Sequence, residues 1–180
     1  NFALKELAAL FIEEQRDATS TMVDQTLSAY DLTKVDAVKQ AIDTFSIALF
    51  AFYNASDTTT QNALKDAFTY HRGDLYNIQS IYYYENSYID YFPFFDVYDF
   101  FERIANDTTN FNEEIRSHAS SILTAVDYFI IYSFGGSKYA NFKEGKNGIH
   151  IFIPPPNSTA MGNYLWYNAL YTGTGGKGAD

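Results

Sequence analysis

The run Pro154-Pro155-Pro156 constrains this chain more than any other feature, because it ends a strand that cannot stand by itself. In "NGIHIFIPPPNST", residues 147 to 159, Ile149, Ile151 and Ile153 alternate with His150 and Phe152. That alternation predicts a strand over 148–153 with its isoleucines on one face. The prolines forbid continuation as a central ladder. The strand's N–H and C=O groups still need partners, and the sequence offers "TLSAY" at 26–30, "SKYANF" at 137–142, or another chain.

Elsewhere the apolar period is helical. Leu4, Leu7, Ala8, Phe11 and Ile12 mark one face of a helix over 3–16. Thr33 reads as the N-cap of a long helix carrying Val35, Val38, Ile42, Phe45, Leu49 and Phe52 on one stripe. "NASDTTT" at 54–60 breaks it, and Asp57 or a following threonine caps the next helix near 59–70. The stretch from His71 to Phe92 is rich in tyrosine and weakly periodic. Pro93 fits the first turn of a helix to about Ala105, with Phe94, Val97, Phe101 and Ile104 on one side.

Asn110 and Glu113 resemble a capping box. The strongest helical stripe follows, through Phe111, Ile115, Ala119, Ile122, Val126, Phe129 and Ile130, and Gly135-Gly136 is expected to end that helix. "SKYANFKEGKNG" is turn-rich with room for a hairpin, and "NYLWYNALY" at 163–171 is a short apolar element. The expected fold is mostly α: a helical bundle with two or three short β-strands, forming one domain over 1–171 with a flexible tail at 172–180.

With 12 Lys and Arg against 22 Asp and Glu, the net charge is -10, and the basic residues form no stripe, which argues against nucleic acid. The greasiest run, "YFIIYSF" at 128–134, is sized for a core and far short of the roughly 20 apolar residues of a membrane span. The 16 Tyr and 16 Phe supply ample core area, but clusters such as Tyr82-Tyr83-Tyr84 cannot all be interior. Zero cysteines remove disulfides, thiolate metal sites and cysteine nucleophiles together. The chain opens inside a helical pattern, without an initiator Met or a signal-like start, and is expected to be a piece of something longer.

No self-contained reaction centre emerges, and the site reading is none for catalytic, cofactor-binding and metal residues alike. Glu114 and His118 lie one helical turn apart, but His-Glu-x-x-His is absent, and a solvated face explains the pair. His71, with Arg72 and Asp74, reads as a polar turn, and His150 as a half-buried, hydrogen-bonded imidazole. Glu13-Glu14 and Glu113-Glu114 sit where charge is solvated or favoured near a helix start. "YTGTGGKGA" fails as a phosphate-binding loop, with Tyr171 in place of its first Gly and Gly178 in place of its hydroxyl. No Gly-x-Ser-x-Gly elbow or calcium loop occurs. Asn54, Asn106 and Asn157 begin Asn-x-Ser/Thr triplets of little weight without a secretory context.

Three separated stretches together resemble the clostripain family of cysteine peptidases. "TLSAYDLTKVDAVKQAID" at 26–43 resembles its "LSAIDLSKV" segment, "FPFFDVYDFFERIAN" at 92–106 its "DLYDF" helix, and "NGIHIFIPPP" its "GLSIYFP" strand, where His150 stands in place of Ser. Order and rough spacing agree over about 3–171. The resemblance implies the C-terminal part of a caspase-like α/β peptidase, whose Cys-His dyad precedes the first of these stretches and which cleaves after Arg or Lys. The dyad therefore maps onto no residue here, and this chain alone should be inactive.

The implied partners are the missing N-terminal catalytic portion and a protein or peptide substrate. Calcium dependence belongs to some relatives and finds no site on these residues. Export to the cell envelope, the periplasm or the outside is the implied location. The alternative is a non-catalytic secreted binding or scaffold module that engages protein or glycan through its tyrosines.

Overall fold

The computed structural model describes residues 2–18, 26–73, 94–136 and 142–152. The fold is mostly α with short antiparallel strands. The elements run, in chain order, α1 (Phe2–Ala18), β1 (Thr26–Tyr30), α2 (Val35–Ala55), α3 (Thr58–Gly73), β2 (Phe94–Asp96), α4 (Val97–Asn106), α5 (Glu113–Phe129), β3 (Ile130–Gly135) and β4 (His150–Phe152).

Helix α5 is the central rod. Its 3–4 spacing puts Ile115, Ala119, Ile122, Val126 and Phe129 on one face, all buried, and α2 and α4 pack against it. Helix α4 buries Val97, Phe100, Phe101 and Ile104. Phe45 of α2 meets Phe101 edge to face, with ring centroids 5.0 Å apart.

The helix starts are made by short polar side chains. Asn112, two residues after the expected Asn110, caps α5 by accepting from the Ile115 N–H at 2.9 Å. Asn110 instead donates to Asp107, whose carboxylate organises the turn between α4 and α5. Asp57 caps α3 as expected, accepting from Thr60 N–H at 2.8 Å. Thr33 is not the cap of α2. It lies in a 3-10 turn, Leu32–Lys34, capped by Asp31, whose carboxylate accepts from both the N–H and the hydroxyl of Thr33.

Two expected helices give way to strands. The α5 pattern runs on into Ile130, but the helix stops at Phe129, and Ile130–Gly135 pairs antiparallel with β1. The β-branched and aromatic run favours a pleated surface, and the Asp31 N–H takes the Phe129 carbonyl at 2.8 Å, so the helix end is satisfied where it meets the strand. Gly135 and Gly136 therefore follow a strand, not a helix. Likewise Phe94–Asp96, read as the first turn of α4, is strand β2.

Strand β2 is also the partner of the isoleucine strand. Phe94, Phe95 and Asp96 stand opposite Phe152, Ile151 and His150, and Val97 N–H donates to the Ile149 carbonyl at 2.8 Å. The "TLSAY" strand is taken by β3, with Leu27 opposite Phe134, Ser28 opposite Ser133 and a bulge between Ala29 and Tyr30. Ile149 and Ile151 pack on the core. Ile153, the prolines, "NYLWYNALY" and the tail lie outside the described residues, as does most of the tyrosine-rich stretch. No described helix is long and apolar enough to cross a membrane.

Candidate functional site: a buried carboxylate node beside an uncovered apolar face

The three stretches that carry the family resemblance meet at one point, the turn Lys143–Gly148. Asp96, at the junction of β2 and α4, is fully buried. Its Oδ1 accepts from Asn147 Nδ2 at 2.6 Å and from Asp99 N–H at 3.3 Å, and its Oδ2 accepts from Gly148 N–H at 2.8 Å. One carboxylate thus caps α4 and clamps the entry to β4. Asn147, also fully buried, accepts from Lys143 N–H through its Oδ1 at 2.6 Å, which closes the turn on itself. From the first stretch, Tyr30 donates its hydroxyl to the Gly148 carbonyl at 2.7 Å and stacks on Phe129.

Gly148 has φ +130°, and a Cβ there would overlap Ser28 Oγ. Only glycine lets the turn close this tightly on β1. On the other side, Gly145 N–H reaches both the carbonyl and the hydroxyl of the buried Ser133 in β3, at 3.1 and 3.0 Å.

Two lysines of the turn fasten it to α4. Lys143 Nζ pairs with Glu102 and faces Asp99 Oδ1 at 3.0 Å, an ion pair outside hydrogen-bonding angles. Burial alone would lower the Lys143 ammonium, but these two carboxylates hold it above its ordinary value. Lys146 donates to the Tyr98 hydroxyl at 2.5 Å and lies 4.4 Å from the centre of that ring, and its pKa is raised by Tyr98, with Asp127 adding to it. Burial, with Asp99 nearby, pushes Asp96 up to about 6 even though Gly148 and Asn147 donate to it. Burial pulls His150, opposite Asp96 in the ladder, below its usual range.

This node shapes backbone. Among the described residues no group of three or more His, Asp or Glu could hold a metal. Glu114 is exposed and His118 half-exposed on α5, away from its buried face. His71 and Arg72 belong to the last turn of α3, not to a loop; their side chains and Asp74 lie outside the described residues. Asp96, Asn147 and Tyr30 were not singled out from sequence. The readable signal was Asp96 one residue before a helical stripe and Asn147-Gly148 just before a strand.

A second feature is apolar. Of the expected α1 face, Ile12 is buried, but Leu4, Leu7 and Phe11 are 69%, 62% and 64% exposed. Helix α1 rests on β3 and β1, anchored by an ion pair from Lys5 to Asp31. Between α1 and β1 runs an open groove of about 580 Å³, lined by Leu, Ala, Phe and Ile side chains with Ser28 as its one polar residue.

A sequence model described as the clostripain family matches residues 2–176. Clostripain of Hathewaya histolytica is 36% identical over 185 residues, an alignment that covers 93% of this chain and 33% of clostripain. The chain spans about a third of that relative's length. With the family pattern running from residue 2 to residue 176 and its three motifs joined at the Asp96 node, the chain belongs to the clostripain family.

Proposed function

We propose that this chain is the C-terminal supporting region of a clostripain-like cysteine endopeptidase that cleaves after Arg or Lys. The observation that carries this reading is the family match across nearly all of a chain that contains no cysteine and equals a third of clostripain. The thiol nucleophile and its imidazole base would then reside on the remaining two thirds, the thiolate attacking the scissile carbonyl after the base takes its proton.

The contribution of these residues is positional. A rigid α2–α4–α5 core, with its strands locked by Asp96 and Asn147, offers a fixed wall against which a catalytic sheet can be held, and misplacement of about 1 Å is costly to catalysis. The acidic balance suits basic substrates. The reading places the whole protein outside the cell or in its envelope, with any calcium site on the other portion.

The test is hydrolysis of Arg and Lys amide substrates by the full-length protein, with and without a thiol alkylator. Hydrolysis abolished by alkylation supports the reading. Hydrolysis that survives alkylation, or none across calcium and reducing conditions, overturns it and favours a binding or scaffold module.

A further inference from the structure

We infer that the groove between α1 and β1 is a strand-addition site: an extended apolar segment from the rest of the same protein pairs with the outer edge of β1 beneath the leucines of α1. The inference rests on the reading above, in which this chain is one part of a longer peptidase, and adds where and how the parts join.

Three observations converge on this surface. The ribbon β1–β3 has two strands, and its two outer edges are not alike. The edge of β3 is met by the turn, whose Gly145 N–H donates to the Ser133 carbonyl. The edge of β1 has no ladder partner among the described residues. An open edge presents a row of donors and acceptors that template another strand.

That open edge also lies in an apolar setting. Leu4, Leu7 and Phe11 stand exposed over it, while Leu27 and Ala29 contribute from the strand itself. A bare edge flanked by large exposed apolar side chains is an aggregation hazard unless something covers it. Strand addition meets both needs, because main-chain hydrogen bonds fill the edge and alternate side chains fill the groove.

Chain length favours the rest of the same protein as the occupant. The matched relative carries twice as much chain again beyond the part aligned here, which is ample to supply a strand and its neighbours. The exposed Ile47 and Phe50 lie on α2, which among the described elements packs on helices α5 and α3, and serve as the contrast.

The test compares amide hydrogen exchange in this chain alone and in the full-length protein that contains it. The expected result is that alternate amides of Thr26–Tyr30 exchange freely in the isolated chain and slow by at least 100-fold in the full-length protein. Leu7→Asp with Phe11→Asp should erase that protection and leave the helical circular dichroism of the isolated chain unchanged. Ile47→Asp with Phe50→Asp should leave the protection in place. Equal exchange of these amides in both contexts overturns the inference even where alkylation-sensitive hydrolysis upholds the peptidase reading. So does protection that appears in the isolated chain with rising concentration and vanishes with Leu7→Asp and Phe11→Asp, since the occupant is then a second copy. A gene product with no further polypeptide overturns both.

Discussion

Asn147 donates through its Nδ2 to Asp96 Oδ1 at 2.6 Å while its own Oδ1 receives the Lys143 N–H, so one amide side chain closes a turn and satisfies a buried carboxylate. Both ends of that side chain are used, and neither residue is exposed. Asn147→Ala strands an amide N–H and one lone pair of a buried carboxylate, and a loss of about 2–4 kcal/mol is expected. Asn147→Asp sets a second carboxylate against Asp96 and is expected to be far less stable at pH 8 than at pH 5, where the two can share a proton. Urea melts at the two pH values check this. A pH-independent loss for Asn147→Asp would show that the two side chains do not meet.

Asp96 and His150 face each other across the β2–β4 ladder with opposite responses to pH. Asp96 is raised to about 6 from an ordinary 3.8, so the folded state binds its proton more tightly than the unfolded chain does. Its contribution is full below pH 4 and is lost as pH rises through about 6, by at most roughly 3 kcal/mol. His150 is lowered from 6.5, so its contribution is present above that value and is lost as pH falls. The two slopes oppose each other in the pH window just below 6.5, around the raised Asp96 value. Asp99, paired with Lys143, is the other charge acting on Asp96 among the described residues, and both variants below leave that pair in place. His150→Gln should therefore steepen the fall of Tm with rising pH in this window, and Asp96→Asn should reverse its sign. Thermal melts that run parallel for wild type and both variants would contradict the assignment.

Gly148 and Gly145 both have positive φ, at +130° and +73°, but their surroundings differ. A Cβ at Gly145 meets nothing within 4 Å, so Gly145→Ala should cost only about 1–2 kcal/mol of backbone strain. A Cβ at Gly148 strikes Ser28 Oγ as well. Gly148→Ala should be the more damaging by several kcal/mol, and Ser28→Gly in the same chain should recover part of the loss, leaving the strain. Chemical denaturation of the four variants measures the coupling. An unchanged Gly148→Ala loss in the Ser28→Gly background would remove the clash as its cause.

Helical content was legible because α5, α4 and the middle of α2 bury the residues their apolar period marks, from Val38 and Phe45 to Ile122 and Val126. Period alone failed at two junctions. Ile130 continues the α5 stripe in sequence and is buried as that stripe requires, yet it belongs to β3, because "TLSAY" lies 100 residues earlier and supplies a ladder no local window contains. Phe94–Asp96 looked like helix after Pro93 for the same reason, its partner being His150–Phe152. The Asp96 node could not be assembled from any local window, because two of its three donors come from 51 and 52 residues away. On α1 the apolar stripe was legible as one helical face, but its exposure at Leu4, Leu7 and Phe11 was not, since amphipathicity says that a face will be covered and not by what.

Lys143 and Lys146 fasten the same turn to α4, but their removal should differ. Lys143 is the cation beside Asp99 Oδ1, a buried oxygen that accepts no hydrogen bond. Lys146 stands 3.7 Å from an Asp127 that is itself 47% exposed, and its contact with Tyr98 leaves no buried charge behind when lost. Lys143→Met should thus cost more than Lys146→Met. Because the Lys143 side chain is itself 41% exposed, screening holds the difference to about 1 kcal/mol. Salt provides the discriminating measurement: the gap between Lys143→Met and wild type should narrow toward 1 M NaCl, where the Debye length falls to about 3 Å, while the Lys146→Met gap, with its cation–π share, should persist. Equal losses for the two variants at low salt, or a Lys143→Met loss indifferent to salt, would show that Asp99 is solvated by other means.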